Sequence, residues 1–271
     1  MNNRKEITID ESKEIQLNLL QNVMTFCKEN KIRCWLCGGT LLGAIRHHGF
    51  IPWDDDIDLE MPREDYIRFL KLFHGKNNIK IISIENNSHY YQVFAKIYDS
   101  RTCLIENINH ACKIGVCLDI FPLDNLTDDF EDCKKLAGRL SFWQKILKFK
   151  LIKLSKNRPL SRNILIAIGK LFSIVFSVRY IIKKIDVLTQ TFSYNKESVY
   201  VGALATQTYG LREIMKREWF QEDIEVKFEG AMYPAPAGYH NILSQMYGDY
   251  MIPPPENKRK SHHDYIAYWK E

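Results

Sequence analysis

The stretch from Arg139 to Ile185 contains no aspartate or glutamate, although the chain carries 33 of them. The same stretch holds twelve Lys and Arg. With those set aside, 26 basic residues face 33 acidic ones elsewhere, a balance near −7 beneath an overall +5. The body is therefore mildly acidic and one segment strongly basic. The first fifteen residues, MNNRKEITIDESKEI, lack the apolar run of an export signal. The seven cysteines are odd in number and scattered, which argues for reduced thiols and a cytoplasmic address. Cys34-x-x-Cys37 has no second pair at metal spacing, so core packing is expected of it, not zinc or redox chemistry. There is no internal repeat, no long low-complexity linker and no recognised nucleic-acid module. What remains is 271 residues, 45% hydrophobic and 12% aromatic, enough for one large domain or one and a half smaller ones.

Ser12 to Glu29 has the helical spacing, with Leu17, Leu20, Val23, Met24 and Cys27 on one side. Ile32 to Cys37 reads as a buried strand that ends in a Gly38-Gly39 turn. Thr40 suits a helix N-cap, with a short helix over Leu41 to Arg46. Asp56 to Met61 reads as a second strand. Pro62 then opens a helix with Glu64 and Asp65 in its first turn and Tyr66, Phe69, Leu70 and Phe73 inward. Further strands are expected at Ile79–Ile84, Tyr91–Ile97 and Gly115–Phe121, and long helices from Asp128 to about Leu188 with a break near Pro159. Tyr233 to Pro236 reads as a turn, Tyr239 to Tyr247 as a helix, and Pro253-Pro254-Pro255 as the end of regular structure. The fold class is α/β (α+β), a mixed sheet with flanking helices.

The densest chemistry is Trp53-Asp54-Asp55-Asp56-Ile57-Asp58-Leu59. On a strand, Asp54, Asp56 and Asp58 share one face, and Asp55 falls out of step at the loop end. Like charges so close are tolerated when a cation lies between them, and hard oxygen donors suit Mg²⁺ or Mn²⁺. A solvated acidic turn is the plainer alternative, but Trp53, Ile57 and Leu59 mark a half-buried strand. The Gly and distal Glu of an EF-hand loop are missing.

Four other features bear on the same chemistry. Gly38-Gly39-Thr40, between a strand and a helix, lets a phosphate approach backbone N–H groups. Asp119 sits in the apolar run Val116 to Phe121, where a carboxylate is costly unless it ligates a cation or pairs with a buried Lys or Arg. Asp124, after Pro122, reads as a cap or turn residue. Arg46 and Lys96 are candidates to offset phosphate charge, or are ordinary surface charges. Trp53, Tyr247 and Tyr250 are candidates to box an organic cation, or simply core.

The basic segment has its own character. Ile164 to Ile182 is nearly long enough to span a bilayer but is interrupted by Lys170 and Arg179. Phe142 to Leu151 interleaves Lys with apolar residues, as helices on an anionic membrane surface do. The alternative is a helical subdomain with a solvated basic face.

Gly38 to Arg46, followed by Gly49 to Asp58, closely resembles the first block of the LicD family. Asp119 to Asp124 resembles its next block. Trp219-Phe220, Val226 to Gly230, and Tyr247 to Met251 with the prolines 253–255 resemble its C-terminal blocks. The resemblance implies a nucleotidyltransferase fold in which the Gly-Gly turn holds phosphate. It makes Asp56, Asp58 and Asp119 catalytic and metal-binding, with Asp54 a further acidic position. It adds His262 and His263, after Lys258-Arg259-Lys260, as residues that reach the donor phosphates. Glu60 stands where a small residue is expected. Three parts follow: a catalytic core over 1–127, a basic helical insert over 128–195, and a C-terminal part over 196–271 that completes the site.

The activity implied is transfer of phosphocholine, or a related phospho-alcohol, from a CDP-linked donor such as CDP-choline to a glycan or teichoic-acid hydroxyl, with release of CMP. The implied partners are a lipid-linked glycan acceptor and the inner face of an anionic membrane, with no nucleic acid. Two alternatives stay open: a nucleotidyltransferase that adds NMP to a small acceptor, and a non-catalytic membrane-bound glycan scaffold. Gathered like charges argue against the scaffold.

Overall fold

The computed structural model describes residues 5–106, 108, 114–155, 158–259 and 265–270. The first element, α1 (Ile9–Glu29), opens on a capping box. The Thr8 hydroxyl accepts the Glu11 N–H at 3.2 Å, and the Glu11 carboxylate accepts the Thr8 N–H at 2.9 Å. That cap adds a turn before Ser12, where the apolar spacing begins. Then come β1 (Trp35–Leu36), α2 (Gly38–His47), β2 (Asp58–Pro62), α3 (Arg63–Leu72), β3 (Ile79–Ile82), β4 (Ala95–Asp99), β5 (Thr102–Glu106) and β6 (Cys117–Asn125). Three helices follow: α4 (Phe130–Leu151), α5 (Leu160–Ser173) and α6 (Val178–Thr189). The chain continues through β7 (Tyr200–Gly202), β8 (Ile214–Lys216), β9 (Asp223–Phe228), β10 (Ala231–Pro236), α7 (Tyr239–Tyr247) and β11 (Tyr265–Trp269).

A mixed seven-stranded sheet forms the α+β core expected from the sequence. Its order is β1-β2-β6-β4-β3, with β7 on the far end of β6 and β8 on β7. β2 and β6 run parallel, and the other pairs are antiparallel. Leu59, Met61, Leu118 and Ile120 are completely buried, as central strands covered on both faces require. Two ribbons complete the fold, β9 with β10 and β5 with β11.

Several elements depart from the sequence reading. Tyr91 to Phe94 precede β4 as buried loop residues, where a strand was expected. Tyr233 to Pro236 is not a turn but part of β10, where Pro234 faces Glu225 and Pro236 faces Asp223. A two-stranded ribbon tolerates these prolines because each strand keeps one edge without a ladder. Regular structure also resumes after the prolines 253–255, in β11. Asp124 is neither cap nor turn. It is a buried β6 residue whose two carboxylate oxygens accept from Arg63 Nε and Nη2 at 2.6 and 2.8 Å.

Arg63 also fastens the helical segment to the sheet. Its Nη1 reaches Asp186 on α6 at 3.1 Å, and its Nη2 reaches the Thr189 hydroxyl at 3.1 Å. Leu136, Leu140, Ile181, Ile182 and Ile185 of α4 and α6 form a second core with Tyr91, Phe94, Leu126 and Leu204. α5 behaves differently. Leu160, Ile164, Leu165, Ile168, Leu171 and Phe172 are 48–76% exposed, so its apolar face points outward. Ser177 caps α6 by accepting the Tyr180 N–H, and the chain bends by 82° between α5 and α6. Among the described residues no single helix is long and apolar enough to cross a membrane.

Candidate active site

The parallel register of β2 and β6 sets Asp58 beside Asp119, and the antiparallel register of β4 and β6 sets Lys96 opposite Asp119. The Lys96 ammonium donates to both Asp119 oxygens at 2.6 and 2.9 Å. Asp119 therefore has the buried cationic partner that an aspartate in an apolar strand needs.

The acidic run is not a strand along its length. β2 begins at Asp58, and Asp54 to Ile57 form the loop that enters it. Alternation therefore fails for Asp54 and Asp56, and Asp55 joins them. Ligand oxygens of Asp54, Asp55 and Asp56 all lie within 4.8 Å of one another. The loop is held by its backbone: Asp54 N–H donates to Ile51 O at 2.9 Å, and Gln16 Nε2 to Asp55 O at 2.9 Å. The Tyr265 hydroxyl approaches the same Asp55 oxygen at 3.5 Å. Ile57 anchors it from inside the core, fully buried.

Burial holds Asp58 well above the usual carboxylate range, and the charges of Asp56, Asp119 and Asp54 raise it further against the pull of Lys96. Four carboxylates thus share one field, and Lys96 pairs with one of them, Asp119. Such a gathering of hard oxygen donors fits a divalent cation of the Mg²⁺ or Mn²⁺ type, with Asp54, Asp56, Asp58 and Asp119 as the residues to hold it. Asp55, whose oxygen lies within 4.8 Å of those of Asp54 and Asp56, is a further donor that strand alternation had set aside.

Gly38 and Gly39 stand against these carboxylates. A Cβ on Gly39 would lie 2.6 Å from Asp54 Oδ2, and one on Gly38 would lie 3.1 Å from Asp58 Oδ2. Gly38 also has φ +53°, a conformation that favours glycine. The glycines therefore clear space for the acidic cluster, whatever else approaches the turn. Thr40 is not the N-cap. Cys37 is, without a side-chain cap bond, and Thr40 lies inside α2 with its hydroxyl accepting the Asp58 N–H at 2.8 Å. The first N–H groups of α2 have no partner within the helix.

Arg46 leaves α2 toward the C-terminal part, where its Nη1 donates to Tyr250 O at 2.6 Å. Burial lowers its pKa, and the charge of Arg259 does so too. Arg259 lies over the Trp53 ring, 5.2 Å from its centroid, so that ring already carries a cation. Tyr250 is buried, with its hydroxyl 2.9 Å from His240 Nδ1. Of the three aromatics expected to form a box, Tyr247 stands where the charge of Asp58 acts on it. His262 and His263 lie outside the described residues.

Tyr247 packs edge-to-face on Tyr209 at 5.1 Å. Burial raises the Tyr209 hydroxyl pKa, and Asp58, Asp54 and Glu213 add to it. Burial likewise raises Tyr247, with Tyr209 and Asp58 contributing. Beside them lie two buried acids. Glu60, on the same face of β2 as Asp58, is pushed up to about 8 by burial, with Glu213 and Asp124 adding to it. Glu213 is pushed up to about 7 by burial. Tyr209 and Glu213 were not singled out from the sequence, and Arg259 entered only as part of the run Lys258-Arg259-Lys260 before His262. No local pattern marks Tyr209 and Glu213, because only the return of the chain after β7 brings them here.

Comparison with known proteins identifies the family. Residues 31–148 match the family model for the LicD/FKTN/FKRP nucleotidyltransferase domain. The chain is 32% identical over 289 aligned positions to the lipopolysaccharide cholinephosphotransferase LicD of Haemophilus influenzae, covering 97% of this chain and 99% of that protein. It is 59% identical over 34 residues to the human ribitol 5-phosphate transferase FKRP, which is 12% of this chain and 7% of that one. A 33% identity over 100 residues links it to mannosyltransferase regulator 4 of Saccharomyces cerevisiae, 36% of this chain and 8% of that one. A full-length relative and a family model that spans the Gly-Gly turn, the acidic loop and Asp119 place the chain by the same residues that build the site, and it belongs to the LicD family.

Proposed function

We propose that this enzyme transfers phosphocholine, or a related phospho-alcohol, from a CDP-linked donor to a hydroxyl of a cell-surface glycan or teichoic-acid precursor. The observation that carries this reading is the meeting of Asp54, Asp56, Asp58 and Asp119 with the Gly38-Gly39 turn. It occurs in a chain alignable end to end with a lipopolysaccharide cholinephosphotransferase. In the reaction, the acceptor oxygen bonds to the alcohol-bearing phosphorus. The bond from that phosphorus to the bridging oxygen breaks, and CMP leaves with the bridging oxygen and its electron pair. The acceptor proton goes to a base, a role we assign to Asp119, whose carboxylate Lys96 holds in place. Asp56 and Asp58 complete the set. A divalent cation held by these carboxylates would neutralise the donor diphosphate and polarise it. The open N–H groups at Gly38, Gly39 and Thr40 suit a phosphate, and Arg46 and Arg259 supply positive charge near Trp53.

The test is CMP release from CDP-choline with Mg²⁺ and an oligosaccharide acceptor, wild type against Asp58→Asn. Acceptor-dependent CMP that falls by at least about 100-fold in the variant is the expected result. Release from CDP-ribitol or CDP-glycerol alone would change the alcohol. The description of the matched domain as a nucleotidyltransferase favours a second reading, NMP transfer. Pyrophosphate formed from a nucleoside triphosphate would select it.

We further infer that the basic segment rests on an anionic membrane at the cytoplasmic face, where a lipid-linked acceptor would lie. The outward apolar face of α5 and the twelve cations of 139–185 support this.

A further inference from the structure

The wall beside Asp58 has a composition that the phosphate chemistry does not need. Tyr209 and Tyr247 present two rings at 80° to each other, and Tyr209 is 38% exposed. Beside Tyr209 lies Glu213, which is at least nine-tenths buried, as is Glu60 of β2. The Tyr209 N–H donates to Glu213 Oε1 at 2.8 Å, and the other oxygen, Oε2, is buried with no hydrogen-bond partner among the described residues. Neither Glu60 nor Glu213 has an ion-pair partner among the described residues. The wall is rigid. Arg212 Nη1 donates to Met246 O at 2.9 Å, and Gln245 Nε2 donates to Arg212 O and Ile214 O at 2.7 and 2.8 Å, which locks the 210–214 turn to α7.

Two tyrosine rings beside the buried Glu213 carboxyl, which a bound cation would draw toward its ionised form, suit an organic cation. A quaternary ammonium is the cation that fits such a wall best. It is large, weakly hydrated and unable to donate hydrogen bonds, so it is recognised by ring quadrupoles and nearby negative charge. Trp53 is unavailable for this, because its ring already carries Arg259. We propose that Tyr209, Tyr247 and Glu213 form the subsite that receives the trimethylammonium end of the donor, and so determine which phospho-alcohol the enzyme accepts. The reactive phosphate would then lie at the neighbouring carboxylates, and the nucleotide toward Arg46 and Arg259. This assignment rests on the phospho-alcohol reading, but its test separates the two.

The experiment measures KM for CDP-choline and CDP-glycerol, inhibition by CMP, and direct calorimetric binding of tetramethylammonium and phosphocholine. It uses the full chain with the variants Tyr209→Leu, Tyr209→Phe and Glu213→Gln. Tyr209→Leu and Glu213→Gln are expected to raise KM for CDP-choline about ten-fold, equivalent to about 1.4 kcal/mol. Constants for CDP-glycerol and CMP stay unchanged, and Tyr209→Phe, which keeps the ring, behaves as wild type. Unchanged CDP-choline constants in Tyr209→Leu and Glu213→Gln would overturn the subsite and leave the transferase reading intact. A wild type that turns over no CDP donor, yet binds tetramethylammonium in a manner lost in Tyr209→Leu, would sustain the subsite and overturn the reading. Wild type that binds neither tetramethylammonium nor phosphocholine overturns the subsite.

Discussion

Lys96 and Asp119 face each other across the β4–β6 ladder, with the ammonium bridging both carboxylate oxygens at 2.6 and 2.9 Å. Its charge also acts on the neighbouring Asp58. Lys96→Met would leave Asp119 partly buried and unpaired, at a cost of about 3 kcal/mol. A divalent cation held by these carboxylates would substitute for part of that charge. Mg²⁺ is therefore expected to raise the melting temperature of Lys96→Met by more than it raises that of wild type. Thermal unfolding with and without chelator checks this, and an equal response in both proteins would separate Lys96 from the cation site.

Gly39→Ala isolates the role of the Gly-Gly turn. Gly39 has no positive φ, so alanine fits its backbone, but the added Cβ would stand 2.6 Å from Asp54 Oδ2. The carboxylate must move. Stability is expected to change by no more than about 1 kcal/mol while activity and Mn²⁺ affinity fall at least ten-fold, about 1.4 kcal/mol. Gly138→Ala in α4 is the control. Its Cβ would meet nothing within 4 Å, and it is expected to stabilise by about 0.5–1 kcal/mol with activity intact. Urea unfolding beside initial rates gives both answers.

Glu213 sets a pH dependence of stability. Its carboxyl is raised from 4.5 to about 7 in the folded protein, so the folded state favours the protonated form. That contribution is complete below the unfolded value and is lost as pH rises through about 7, on the order of 3 kcal/mol in full. Glu213→Gln carries no such loss. The melting temperature of the variant relative to wild type is expected to increase between about pH 5 and about pH 8. A difference that stays flat over that range would mean that Glu213 is charged throughout.

The outward face of α5 predicts a membrane phenotype. Leu171 and Phe172 are 67% and 76% exposed, so aspartate at both leaves the core untouched. Leu171→Asp/Phe172→Asp is expected to abolish flotation with vesicles rich in phosphatidylserine and to leave CMP release on a soluble acceptor unchanged. Wild type that fails to float with such vesicles would remove the membrane contact.

Much of the candidate site was legible because it is contiguous. Gly38 to Asp58 carries the turn, the acidic loop and the strand entry within twenty-one residues. Asp119 declared itself as a charge in an apolar strand, and its pairing with Lys96 was one of two readings open for it. The exact strand start was not legible, since alternation along Asp54, Asp56 and Asp58 looks the same whether the backbone is extended or looped. Arg63, Asp124 and Asp186 are separated by 61 and 123 residues, and only the sheet register and the docking of α6 unite them. The periodicity of α5 was visible, but periodicity does not say which side of a helix faces the protein.

The loop that carries Asp54 to Asp56 is held at the Asp55 carbonyl from two directions, by Gln16 at a separation of 39 residues and by Tyr265 at 210. Trp35 Nε1 likewise reaches Asp223 across 188 residues, and Arg46 reaches Tyr250 across 204. Contacts of such long range close late in folding. A nascent chain that has emerged through α7 therefore already holds every carboxylate of the site, yet one of the two clasps on their loop is still to be synthesised. The acidic loop is then clasped from both directions only once β11 has been made, and premature stops before β11 leave the motif present with the Gln16 clasp alone.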